Sequence, residues 1–172
     1  MGTAFPKSVS TLVVLCLLGL FPHPAQSTPG SWYQDDLVCK ASVIAIIEIR
    51  NQQMIPWEIK VVGERGDVPT LLTVYDSLVS KVIKGKIPEN PCIAQLDGAG
   101  DLSPFEKGRY LAFLEKSGYF YFPLVTSFKI TGDQVHWYTK PFRHGDYGPY
   151  MGLVPLEQAL SDINAILNEK KK

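Results

Sequence analysis

Apolar and polar residues alternate along the first part of the chain. From position 37 to 49 every odd position is apolar, while Glu48 and Arg50 hold even positions. Because successive side chains of a strand point to opposite faces, this period of two predicts a half-buried β-strand over 37–49. The same alternation at 57–61 predicts a second strand after Pro56.

The segment 70–84 is compatible with either a helix or a strand. Leu71, Tyr75, Leu78 and Val82 lie at helical spacing, but the segment is rich in β-branched residues, which favours a long strand. Shorter apolar runs with glycine or proline between them predict further strands, at 92–96, 109–115, 119–122, 129–130 and 135–138.

The end of the chain changes to a helical period. Pro155 suits the first turn of a helix, and Leu156, Leu160, Ile163 and Leu167 fall on one face of a predicted helix over 155–169. Many short strands followed by one helix predict a mainly β fold, an antiparallel β-barrel or sandwich with a C-terminal helix.

The first 27 residues have the pattern of a secretory signal peptide. Lys7 precedes an uncharged apolar run, and a small-residue cleavage site ends at Ser27. The run is shorter than the roughly 20 residues of a membrane span. We therefore expect a secreted or periplasmic protein cleaved after Ser27, with a linker at 28–35 and one domain over 36–172. Acylation at Cys16 is disfavoured, because bulky Leu15 precedes it.

Charge argues against one class of partner. One of the 17 basic residues, Lys7, lies in the leader, which leaves 16 basic against 17 acidic groups. A nucleic-acid binder would carry a basic surplus gathered into a patch. We therefore expect no nucleic-acid partner.

Two cysteines remain after removal of the leader, Cys39 and Cys92. An even pair in an oxidising compartment predicts a single disulfide between them. No Cys-x-x-Cys sequence supports a redox role instead.

The usual catalytic motifs are missing from the sequence. There is no Gly-x-Ser-x-Gly, no His-Glu-x-x-His and no phosphate-binding loop, so we predict no catalytic residue, no metal site and no cofactor. One enzymatic alternative stays open, a small secreted hydrolase that uses His144 and Asp146, with His136 as a further candidate.

The strongest candidate for a binding surface is the segment 137–150, where aromatic and basic residues are mixed. Aromatic rings and arginine supply contact area and hydrogen bonds together, as binding surfaces require. The other interpretation is an ordered loop whose rings are buried against the barrel. The candidate residues are Trp137, Tyr138, Phe142, Arg143, His144, Tyr147 and Tyr150.

Three segments together resemble a known family. They are the alternating core at 41–49, Lys-Val-Ile-Lys-Gly-Lys at 81–86 and Phe-Glu-Lys-Gly-Arg-Tyr-Leu-Ala-Phe-Leu at 105–114. Over about 36–140 the chain is similar to the oligonucleotide/oligosaccharide-binding (OB) barrel of netrin-like and tissue-inhibitor-of-metalloproteinase-like domains, especially their bacterial secreted relatives. The resemblance implies an OB-like antiparallel β-barrel.

The resemblance also implies an activity, inhibition of a metalloprotease. In those inhibitors an N-terminal cysteine chelates the target's zinc, whereas cleavage here would expose Thr28. Inhibition is therefore kept as an alternative. Our main expectation is an exported, non-catalytic module that binds a protein or peptide through aromatic and basic loops.

Overall fold

The computed structural model describes residues 33–60, 67–96, 104–125, 127–142 and 149–170. The predicted leader lies outside them. The described chain is mainly β with a helix at its C-terminal end, as the sequence predicts. Its elements are α1 (Gln34–Lys40), β1 (Val43–Lys60), β2 (Asp67–Lys84), β3 (Ile93–Leu96), β4 (Gly108–Ser117), β5 (Phe120–Pro123), β6 (Phe128–Thr131), β7 (Gln134–Tyr138), β8 (Met151–Pro155) and α2 (Leu156–Glu169).

The eight strands form one sheet in the order β1-β2-β3-β5-β4-β6-β7-β8, and β1 also pairs with β4. Neighbouring strands are antiparallel except β3 and β5, which are parallel and meet at a single residue pair, Ile93 with Tyr121. The first five strands are therefore connected from β1 round to β4 and back to β1, through pairings of very unequal length.

Strands β1 and β4 lie between two cores. Val43, Ala45, Ile47 and Ile49 pack with Tyr75 and Ile93 in one core, while Ile44 and Ile46 pack in the other. The second core also holds residues of both helices. The prediction of a half-buried strand is therefore wrong over the first part of β1, because helices and the β6–β8 strands cover its other face. Burial on both faces also explains the continuous apolar run in β4.

The start of the domain differs from the prediction. Gln34 and Asp35, assigned to a linker, and residues 37–40, assigned to a strand, form helix α1. Acidic Asp35 and Asp36 in its first turn and Lys40 in its last suit the helix dipole. Tertiary contact overrides the alternating pattern here, since Leu37 and Val38 are fully buried.

The structure does not contain the predicted disulfide, and both cysteines are free in it. Cys39 lies at the end of α1, where the Lys84 Nζ donates to its carbonyl oxygen at 2.8 Å. Cys92 precedes β3, whose Ile93 pairs with Tyr75. The contacts of the two cysteine-bearing segments therefore fall nine positions apart along β2.

Two strands of the structure differ from those that the sequence predicts. The strand predicted to begin after Pro56 is continuous with β1, and Pro56 is tolerated because it lies where β1 pairs on one side only. Strand β8 was not predicted.

Over the described ranges, no helix combines the length and the apolar character needed to cross a bilayer.

Candidate functional site

Three of the predicted binding residues belong to the core. Trp137 stacks on Phe113 with ring centroids 5.7 Å apart, and its Nε1 donates to Asp162 Oδ2 of α2 at 3.2 Å. Phe142 lies against Tyr138, and all three predicted rings are buried. The prediction that Trp137, Tyr138 and Phe142 contact a partner is therefore corrected. The rings are buried, as in the alternative interpretation of this segment, and they join the helices to the sheet.

The remaining predicted residues separate into two groups. Tyr150 is 56% exposed, and the Lys140 ammonium lies 5.1 Å from its ring centroid, in a cation–π contact. Arg143, His144 and Tyr147 lie outside the described residues, as does Asp146. His136 is exposed on β7 opposite Leu153.

A ribbon formed by the last part of β1 and the first part of β2 extends from the sheet, and β3 pairs with β2 at its base over 72–75. Strand β1 pairs with β4 only as far as Ile49, and from Asn51 onward the described residues show it paired with β2 alone. The ribbon consists of residues 51–60 and their partners 67–76. One edge of β1 in the ribbon thus presents backbone groups that no other described strand uses.

The two faces of the ribbon have different environments. Ile55 pairs with Leu72, which is 2% exposed, so this face turns toward the body of the protein. Met54 and Pro56 project from the opposite face, because they alternate with Ile55. Leu71 pairs with Pro56 and shares that face. Met54 is 63% and Leu71 39% exposed, and we call Met54, Pro56 and Leu71 the outer apolar face.

An open cleft of about 500 Å³ lies at the base of the ribbon. It is lined by Ile49, Asn51, Gln52 and the segment 104–107. Asn51 and Gln52 are exposed and carry side-chain amides, which donate and accept hydrogen bonds. The cleft and the outer apolar face therefore lie within a few residues of one another along β1.

The segment 104–107 is held in place by one buried ring and two hydroxyls. Phe105 packs edge-on against Tyr75 and Tyr110, each with a centroid distance of 5.0 Å. Its backbone N–H donates to the Tyr75 hydroxyl at 3.2 Å, and the Glu106 N–H donates to the Tyr110 hydroxyl at 3.0 Å. The Tyr75 hydroxyl in turn donates to Gln95 Oε1 at 3.0 Å. This wall of the cleft is therefore preorganised.

The outer side of the same segment carries one ion pair. Lys129 Nζ lies 2.6 Å from Glu106 Oε2, and both side chains are exposed. The hydrogen bond from Lys129 lowers the pKa of Glu106, and Glu106 raises the pKa of Lys129. Because solvent screens such a pair, it contributes little to stability and mainly orients the two side chains.

The chemistry available at the ribbon is contact and hydrogen bonding. Among the described residues, no group of three or more histidine, cysteine, aspartate or glutamate side chains is placed to hold a metal ion. The site offers an apolar face, amide groups and backbone hydrogen-bonding groups, which together suit recognition of another chain.

Neither a family model nor a curated protein matches this chain.

The sequence patterns did not single out the ribbon. Met54 and Leu71 are 17 positions apart and become neighbours only through the register of β1 with β2. The one local signal is Met54 itself, an apolar residue directly after the polar run Asn51-Gln52-Gln53.

Proposed function

We propose that this protein is an exported, non-catalytic binding module that recognises a protein or peptide through the outer apolar face of its ribbon. The observation that carries the proposal is the exposure of Met54 and Leu71, which are diagonal neighbours across β1 and β2 on one face of the ribbon. Exposed apolar groups that lie together mark interaction sites more often than isolated ones do.

The ribbon suits a polypeptide partner better than a small molecule. The free edge of β1 presents N–H and C=O groups to which an extended segment can add as a further strand, with the apolar face supplying side-chain contact. Small-molecule sites, in contrast, enclose most of the ligand surface, which the open cleft at the ribbon's base does not do.

The proposed architecture is an OB-like barrel. The pairings β1-β2, β2-β3, β3-β5, β5-β4 and β4-β1 are what such a barrel requires, and the family resemblance of the sequence favours the same arrangement. OB barrels bind ligands beside the connection between their first two strands. In this chain that connection is residues 61–66, which join the two strands of the ribbon. Export is proposed from the leader, as the sequence predicts.

The proposal is tested by affinity capture with three forms of the purified chain. The substitution pair Met54→Lys with Leu71→Lys places charge on the outer apolar face. The matched control Val82→Lys alters another exposed apolar residue of β2, 44% exposed and outside the ribbon. Proteins of the extracellular or periplasmic fraction are captured on each form, and the affinity of every captured protein is then measured.

We expect the wild-type chain and the Val82→Lys form to bind the same protein with similar affinity. The double substitution should weaken binding at least about tenfold, since burying two uncompensated lysines opposes association. Equal affinity of all three forms, with circular dichroism showing that each is folded, would contradict the proposed site.

A further inference from the structure

Strand β8 forms the last strand of the sheet. In the part of the chain that the structure describes, it pairs with β7 alone. No charged residue occurs between positions 147 and 156. Exposed edge strands of soluble proteins usually carry charges that prevent pairing with other chains, so the absence of charge from β8 calls for a physical explanation.

The hydrogen bonds to β7 define which backbone groups of β8 point outward. The Thr139 N–H donates to the Tyr150 oxygen at 2.8 Å, and the Leu156 N–H donates to the Asp133 oxygen at 2.7 Å. In an antiparallel ladder, alternate residues of a strand turn both backbone groups toward the same neighbour. Even-numbered residues of β8 therefore bond to β7, and odd-numbered residues face away from it.

The outward-facing residues form a symmetric series about Gly152. Met151 and Leu153, on either side of it, each offer one N–H and one C=O. The next outward positions are Pro149 and Pro155, which have no N–H. The outward edge therefore has the same order of groups in both directions. A proline at each end flanks two residues that each offer an N–H donor and a C=O acceptor.

We propose that β8 pairs with β8 of a second copy of this chain, antiparallel and centred on Gly152, to form a two-fold symmetric dimer. In this register Met151 of each copy faces Leu153 of the other. These two pairs exchange four backbone hydrogen bonds and use every outward N–H of the strand. Each Pro149 faces a Pro155, so no donor lacks an acceptor.

The choice of a second copy, and not a different protein, follows from this symmetry. A two-fold interface requires one surface to be complementary to itself. The uncharged edge meets its own copy without like-charge repulsion, and the prolines at both ends confine pairing to the same short stretch. Leu153, 65% exposed, and half-buried Met151 then become cross-strand neighbours.

Gly152 has a separate role within the chain. A Cβ atom at this position would lie 2.9 Å from Thr139 Cγ2, so the fold of β7 and β8 itself favours glycine. The dimer is therefore inferred from the outward donors, the prolines and the absence of charge. It involves a different surface from the ribbon and is independent of the proposed function.

Sedimentation equilibrium of the purified chain tests the dimer and its register together. In the double variant Met151→Lys with Leu153→Lys, each of the two contacts across the interface becomes a lysine–lysine pair. The pair Met151→Glu with Leu153→Lys instead places a glutamate opposite a lysine at both contacts. We expect the wild-type chain to dimerise, the first pair to weaken dimerisation at least about tenfold and the second to restore it.

Amide hydrogen exchange of the unaltered chain provides a readout that needs no substitution. Exchange at the Met151 and Leu153 N–H groups should slow as protein concentration rises, while the N–H groups of Gly152 and Val154, already bonded to β7, should not respond. A wild-type chain that stays monomeric up to about 1 mM, where a dissociation constant corresponds to only about −4 kcal/mol of association free energy, would overturn the proposal. So would double variants that dimerise equally.

Discussion

Tyr138 shows how burial controls the chemistry of a single side chain in this protein. Its ring is edge-on to Trp137 at 4.9 Å and almost completely buried. Burial disfavours the charged phenolate and raises the pKa of Tyr138 from 10.0 to about 12. Between these two values the folded protein keeps the phenol neutral, whereas the unfolded chain ionises it.

Alkaline pH should therefore destabilise the fold. A group whose pKa is raised by folding contributes stability that is present below its unfolded pKa and lost as pH rises toward its folded pKa. For Tyr138 the loss falls between pH 10 and about 12 and amounts to roughly 2–3 kcal/mol at about 1.4 kcal/mol per pH unit. Tyr138→Phe should show a shallower fall, measured by urea unfolding at pH 7 to 11.5.

Tyr75 provides the internal comparison for that experiment. Burial also raises its pKa, so part of the alkaline destabilisation should remain in the Tyr138→Phe variant. If the variant and the wild type lose the same free energy of unfolding over this range, Tyr138 is not the group responsible.

Helix α1 depends on contacts made far away in the sequence. Lys84, at the end of β2, donates to the carbonyl oxygens of Val38 at 2.9 Å and Cys39 at 2.8 Å. The next residue, Gly85, has a φ of +79°, and a Cβ there would lie 2.2 Å from the Ser42 oxygen. Lys84 and Gly85 together thus determine how closely the end of β2 packs against the end of α1.

Replacing Lys84 should loosen this helix. Lys84→Met keeps most of the aliphatic stem and removes both donated hydrogen bonds, so we expect a loss of about 1–2 kcal/mol of unfolding free energy. Lys86→Met, at an exposed lysine two positions along, should change stability by less than about 0.5 kcal/mol.

Urea unfolding of both variants and amide exchange across α1 measure the two effects. Faster exchange in α1 with Lys84→Met alone is the expected result. Equal stability of the two variants would show that the Lys84 contacts do not hold the helix.

Elements with a strong local period were predictable, and those held by distant contacts were not. The apolar run at 109–115 and the stripe at 155–169 correspond to β4 and α2, because each carries its period within its own residues. Helix α1 has only seven residues, and its last four begin the alternating pattern of 37–49. Lys84 and the buried contacts of Leu37 and Val38, which no local pattern shows, decide its structure.

Dependence on distant contacts also explains why the candidate site was predicted only in part. The sequence located an aromatic cluster at 137–150, but burial of Trp137 and Phe142 depends on packing against the helices. The outer apolar face escaped prediction, since β-sheet register alone brings Met54 beside Leu71.

At the scale of the whole molecule, the two proposed surfaces use different parts of the sheet. The ribbon extends from β1 and β2, near one end of the strand order, and β8 forms the other end. Each surface combines backbone groups that no described strand pairs with and exposed apolar side chains. The ribbon is proposed to bind a different protein and β8 a second copy, so substitutions at one surface should leave the other interaction unchanged.

Photo-crosslinking tests the proposed binding site most directly. A photoreactive amino acid is placed at Met54, on the outer apolar face, or at Val82, at an exposed site outside the ribbon. Each form is irradiated with the extracellular or periplasmic fraction. We predict a covalent adduct with another protein from position 54, and none from position 82. Adducts from neither position, or equal adducts from both, would contradict recognition through the ribbon.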